Sequence, residues 1–127
     1  MSLARRLPHV WAVSFKFHTP YPGTEHLSIT AHQRRAACEQ ITRLIAEGYP
    51  ILNMASALPR IAEGTAPLPC HQCVIFEDGE LWTCGRCSEV PGLCQQCGFF
   101  FATELSLLFR GEPRVIVDAL RSSRRFL

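Results

Sequence analysis

Six of the seven cysteines in this chain fall in three Cys-x-x-Cys pairs: Cys70 with Cys73, Cys84 with Cys87, and Cys94 with Cys97. Two intervening residues let one tight turn aim both sulfurs at one metal, while turn amides hydrogen-bond the thiolates. Such donors suit a tetrahedral Zn2+ site, with four thiolates at about 2.3 Å, or a [4Fe–4S] cluster, which also takes four cysteines. The simplest zinc set is Cys70, Cys73, Cys84 and Cys87. The residues alone leave open which four ligate. Either metal would supply much of the local folding energy, since structural zinc contributes about 10–16 kcal/mol in small peptides. Cys38 stands apart, in a helical stripe with Ile41 and Ile45, and reads as a small core residue.

The elements that must position these thiols are legible around them. Asp78-Gly79 is the favoured dipeptide of a type I′ hairpin turn, flanked by residues 74–77 and 80–83. Counting outward pairs Glu77 with Glu80, Phe76 with Leu81, Ile75 with Trp82 and Val74 with Thr83, which sets Cys73 opposite Cys84. The hairpin thus gathers the first two pairs, and the loop 88–93 returns the third. Six thiols are expected to converge.

Upstream, residues 10–17 alternate with period two, with Trp11, Val13, Phe15 and Phe17 on one side, which predicts a strand. A loop follows, then a helix opening on the capping box Thr30/Gln33, with Ala37, Cys38, Ile41, Leu44 and Ile45 inward and Gly48 at its C-terminal cap. Residues 49–53 form a short buried strand. Strand, helix and strand make a βαβ unit, whose active edge lies past the strand ends. His18, Thr19 and Asn53 are therefore expected at one edge, with His18 and Asn53 as cofactor-binding candidates. Two parallel strands do not make a stable sheet alone, so this half is expected to need further strands.

Ser56 is placed to cap a short helix with Pro59 in its first turn and an end near Gly64. Residues 64–69 read as a linker, dividing the chain into 1–64 and a Cys-rich part, 65–127. Residues 99–109 predict a helix with Phe101, Leu105, Leu108 and Phe109 buried. Pro113 opens a last helix carrying Ile116, Ala119 and Leu120, and Arg121, Arg124 and Arg125 read as its solvated, dipole-complementing end in preference to a nucleic-acid tail. The fold class expected is α/β (α+β): a partial βαβ segment, a Cys-rich hairpin domain and C-terminal helices.

Bulk properties narrow the function. At 127 residues, 47% hydrophobic and 19% charged, the chain is globular, and a net charge of +2 argues for neither a nucleic-acid nor a membrane partner. No apolar run approaches the roughly 20 residues of a membrane span, and Lys16 with Pro20 and Pro22 breaks the pattern of a secretory signal. A cytoplasmic location is expected. Thiols stay reduced there, which favours metal ligands over disulfides. A thiol oxidoreductase is disfavoured because its Cys-x-x-Cys opens a helix after a strand.

These residues resemble a known family. Residues 15–53 look like the late strand–helix–strand portion of a radical S-adenosylmethionine (SAM) enzyme barrel. Cys70, then Gly79-Glu-Leu-Trp-Thr-Cys84, then Cys94-Gln-Gln-Cys97 ahead of a helix resembles the auxiliary-cluster region, of SPASM or twitch type, of such enzymes. The likeness spans roughly residues 10 to 110. It implies an auxiliary [4Fe–4S] cluster on Cys70, Cys84, Cys94 and Cys97, with Cys73 and Cys87 as alternative ligands or ligands of a second site. The family's Cys-x3-Cys-x2-Cys motif, which leaves an iron open for SAM, is absent from the sequence. The expectation is therefore the C-terminal portion of a radical SAM oxidoreductase, its cluster serving substrate binding or electron transfer. It would be inactive alone, and would use SAM only with the missing barrel half, in the same protein or in a partner chain. The competing expectation is a zinc-ribbon-like module binding a protein or nucleic acid.

Overall fold

A computed structural model describes residues 9, 11–64, 74–83, 90–93, 96–98 and 100–123. Among the described residues the regular elements are a single 3-10 turn (Glu25–Leu27), four α-helices and one hairpin: α1 (Ala31–Ala46), α2 (Leu58–Glu63), β1 (Val74–Glu77), β2 (Glu80–Thr83), α3 (Phe100–Phe109) and α4 (Pro113–Ser123). This is a mixed, mostly helical arrangement of α+β character. Among the described residues the one sheet is the two-stranded hairpin, and there is no barrel. No described helix is long and apolar enough to cross a membrane.

Helix α1 begins as its sequence dictates. Thr30 accepts from the Gln33 N–H and Gln33 accepts from the Thr30 N–H, closing the capping box. Cys38 and Ile41 are buried on it, with Leu44 and Ile45 packed against the same core. The hairpin has the expected register, Val74 with Thr83 through Glu77 with Glu80. Asp78 (φ 51°) and Gly79 (φ 83°) both lie in the left-handed region, as a type I′ turn requires.

The strand expected over 10–17 is not formed among its described residues, 11–17, which make no ladder. Its parallel pairing with residues 49–53 is a single bridge, Val13 with Ile51, made by Val13 N–H to the Pro50 carbonyl and Leu52 N–H to the Val13 carbonyl. One step on, the side chain of Asn53 replaces the next rung: Phe15 N–H donates to its Oδ1 (2.7 Å) and its Nδ2 donates to the Phe15 carbonyl (3.2 Å). Phe17 N–H then bonds the Gly98 carbonyl. Period-two alternation persists, with Val13, Phe15 and Phe17 half-buried and Ser14 and Lys16 exposed. Trp11, expected on the inner side, is instead exposed, because it precedes the bridge that turns that side inward.

One core joins both parts of the chain. Cys38, Ile41, Ile51, Ala57, Leu58 and Ile61 meet Phe100, Leu107 and Val115, with Phe15 and Phe17 against them. Phe17 meets Phe100 edge-on, with centroids 4.6 Å apart, and the Arg34 guanidinium lies 5.2 Å from the centre of the Phe17 ring. The linker 65–69 and the terminal Arg124 and Arg125 lie outside the described residues.

Three expectations are corrected here. Helix α3 does not bury Phe101 and Phe109, which are exposed, while Leu105 and Leu108 are half-buried. Its inner face is Phe100, Thr103, Glu104 and Leu107. The helix is apolar nearly all round, so its pattern does not select a face, and the hydrogen bonds of Glu104 set the rotation. On α4, Val115 is the buried residue and Leu120 is exposed, because Asp118 turns inward instead. Ser56 does not cap α2, whose first flanking residue is Ala57. Its N–H and hydroxyl both donate to Asp118 Oδ2, at 2.8 and 2.7 Å.

Asp118 thus ties α4 to the turn before α2. Asp118→Ala orphans the Ser56 N–H and should cost about 1–3 kcal/mol, whereas Ser56→Ala keeps the backbone bond and should cost less. Urea midpoints at an unchanged denaturant slope would measure both. Equal losses would contradict the assignment.

Candidate metal centre and its support

Of the six paired cysteines, Cys70, Cys73, Cys84, Cys87 and Cys94 lie outside the described residues, and Cys97 is half-buried within them. Among the described residues no three His, Cys, Asp or Glu side chains group as metal ligands. What the structure describes is the frame. The hairpin's open end is the pair Val74 and Thr83, the sequence neighbours of Cys73 and Cys84. The other anchored point follows Cys97: Gly98 is buried, its carbonyl accepts from Phe17 N–H at 2.9 Å, and its N–H donates to Thr19 Oγ1 at 3.2 Å.

Only glycine fits at 98. A Cβ there would overlap the Phe17 carbonyl group and crowd its Cβ. The close approach lets the segment after Cys97 lie directly on Phe17 and lead into α3, whose first residue, Phe100, is 1% exposed. Upstream of the same pair, Leu93 is also buried.

The candidate cofactor residues sit differently from one another. His18 is exposed, and its Nε2 lies 2.8 Å from Thr24 Oγ1. That hydroxyl already donates its proton to the Tyr21 carbonyl, so His18 must donate through Nε2, leaving Nδ1 outward as an acceptor in the neutral ring. Asn53 is 3% exposed. Its amide brackets the Phe15 backbone and donates to Glu104 Oε1 at 3.2 Å.

Glu104 is the group that sequence reasoning missed. It is 3% exposed on α3, and its Oε1 also accepts from Met54 N–H at 2.9 Å. Burial pushes its pKa above the ordinary carboxylate value, partly opposed by the Met54 N–H and the Asn53 amide. A lone carboxylate inside the apolar run 99–109 was the available signal. Cys38 is no ligand candidate. Burial drives its thiol up to about 11, against the pull of Arg34, so it stays protonated in the core.

Two outcomes follow. Gly98→Ala should destabilise by about 1–3 kcal/mol, as overpacking does, read as a lowered thermal midpoint; a midpoint equal to that of the parent would refute the close approach. For Glu104, a folded pKa raised above the unfolded one means its contribution is fully present below the unfolded pKa and lost as pH rises through the folded value. Glu104→Gln mimics the protonated form, so it should flatten the decline in stability over that window. Urea midpoints across a pH series test this, and parallel pH profiles for the two proteins would reject it.

Set beside known proteins, the chain matches no family model, no curated protein and no solved structure.

Proposed function

We propose that this chain is an iron–sulfur protein, the C-terminal part of a radical SAM-type oxidoreductase. Cys70, Cys84, Cys94 and Cys97 would hold an auxiliary [4Fe–4S] cluster, with Cys73 and Cys87 beside it. The cluster would supply substrate binding or one-electron transfer. The chain lacks the Cys-x3-Cys-x2-Cys motif, so the family reaction needs that motif from a partner chain or from further sequence. Strands are needed from the same source: among the described residues the parallel pairing is one bridge.

The observation that carries this is the hairpin register. With Val74 paired to Thr83, covalent continuity alone keeps the Cα atoms of Cys73 and Cys84 within about 13 Å, from one cross-strand spacing and two peptide steps. The bonds at Gly98 tether the residue next to Cys97 to the body of the protein. Six thiols in three Cys-x-x-Cys pairs within 28 residues would be the donor set an iron–sulfur centre takes.

The same register favours one second reading. The last pair, Val74 with Thr83, is flanked in sequence by Cys73 and Cys84 rather than by Cys70, which would suit a zinc ribbon on Cys70, Cys73, Cys84 and Cys87, serving a protein or nucleic-acid partner.

Protein purified anaerobically should be brown and contain iron and acid-labile sulfide. A colourless protein with stoichiometric zinc would replace the first reading with the second, and no metal after careful reconstitution would end both. Cys84→Ser should abolish metal binding on either reading. Cys73→Ser separates them: the cluster survives this change, and the zinc ribbon does not.

A further inference from the structure

The end of the hairpin away from the cysteines has a chemistry of its own. Its tip, Glu77-Asp78-Gly79-Glu80, places three carboxylates in four residues. Glu77 stands opposite Glu80, and directly opposed like charges are unfavourable in an isolated pair of strands. Behind the tip, Phe76 and Leu81 face each other across the strands and are 72% and 71% exposed, with Val74 next along the same face at 53%. An acidic end thus leads an apolar stripe.

A surface of the opposite character lies on the helical body. The turn at Ala55 and Ser56 and the side of α4 next to it line an open groove of about 500 Å³. Pro113 and Val117 give it an apolar floor, and Arg114 and Arg121 flank them two turns apart. Asp118 also lines it, but one of its oxygens is occupied by the Ser56 N–H and hydroxyl, so the guanidinium groups outnumber the carboxylate.

We propose that the chain associates with a second copy of itself, the hairpin of one molecule seated in the α4 groove of the other. The carboxylates of the tip meet Arg114 and Arg121, and Phe76 and Leu81 cover Pro113 and Val117. The argument is charge complementarity between two patches, each of which also carries exposed apolar surface. The hairpin sequence, residues 74–83, carries three carboxylates and no Lys or Arg, so the second copy would supply the cations. The tip lies at the far end of the strands from Cys73 and Cys84, so metal content is a separate readout.

Sedimentation velocity of the full chain, purified anaerobically, should show association that rises with concentration and weakens with salt. Glu77→Arg with Glu80→Arg in one variant, and Arg114→Glu with Arg121→Glu in another, should each weaken it about tenfold or more. Mixing the two variants, or combining all four changes in one chain, should restore it. If a charge reversal impairs folding, as circular dichroism would reveal, the milder Glu80→Gln and Arg121→Gln should each still weaken association. A monomer at every concentration overturns the proposal. So does association that the groove variant leaves intact, which would point to hairpin-to-hairpin contact, or failure of the mixed variants to pair.

Discussion

The structure depends on how one segment, residues 13–17, satisfies its backbone. Val13, Phe15 and Phe17 present N–H groups along one edge, and each finds a different partner: the Pro50 carbonyl, the Asn53 side chain and the Gly98 carbonyl. Buried backbone groups left unpaired cost about 1–3 kcal/mol each, so the three contacts are strongly selected together. Asn53 works because a primary amide reproduces both the donor and the acceptor of a peptide unit. Its side chain continues the pairing where the chain of residues 49–53 turns away. The edge therefore joins three parts of the sequence that secondary structure alone would not connect.

Two carboxylates then hold the segment that follows. Glu104 on α3 binds Met54 N–H and the Asn53 amide, and Asp118 on α4 binds Ser56 N–H and its hydroxyl. The turn over 53–56 supplies N–H donors that no helix or strand uses, and the acids come from two consecutive helices joined at residues 110–112. Fixing these two points sets the rotation of both helices. That in turn puts Phe100, Leu107 and Val115 into the core with Leu58 and Ile61. Burying the carboxyl of Glu104 costs free energy, as its raised pKa records, and the two donors offset part of that cost while specifying one orientation of a helix whose apolar residues would accept several.

Local rules made some of this legible in advance. The capping box at Thr30 and Gln33, the Asp78-Gly79 turn with its register, and the start of α4 at Pro113 all depend on residues within a few positions of one another. The rest depended on distant partners. Nothing near Ser56 reveals that its hydroxyl is engaged by Asp118 rather than by its own helix. The outward turn of Phe101 and Phe109 follows from Glu104, whose partners are some fifty residues earlier. The period-two pattern at 10–17 matched the alternating burial of residues 13–17 but overstated the strand, since a side-chain amide and a glycine take the place of neighbouring strands beyond one bridge. As for the candidate centre, spacing and residue type carried the reading, and Cys97 is the one paired cysteine among the described residues.

Gly98 links that centre to the body of the fold. Its absent side chain allows the residue after Cys97 to press against Phe17, and its two backbone bonds reach residues 17 and 19. On the proposed reading, a metal that fixes Cys94 and Cys97 also fixes the start of α3, because only Gly98 and Phe99 intervene before Phe100 enters the core. Metal binding would then stabilise more than the cysteine loops. It would bias the docking of α3, and through Glu104 the turn at Asn53, at the end of the parallel bridge where further strands would have to add. A centre built from residues late in the sequence would in this way organise the edge formed by residues early in it.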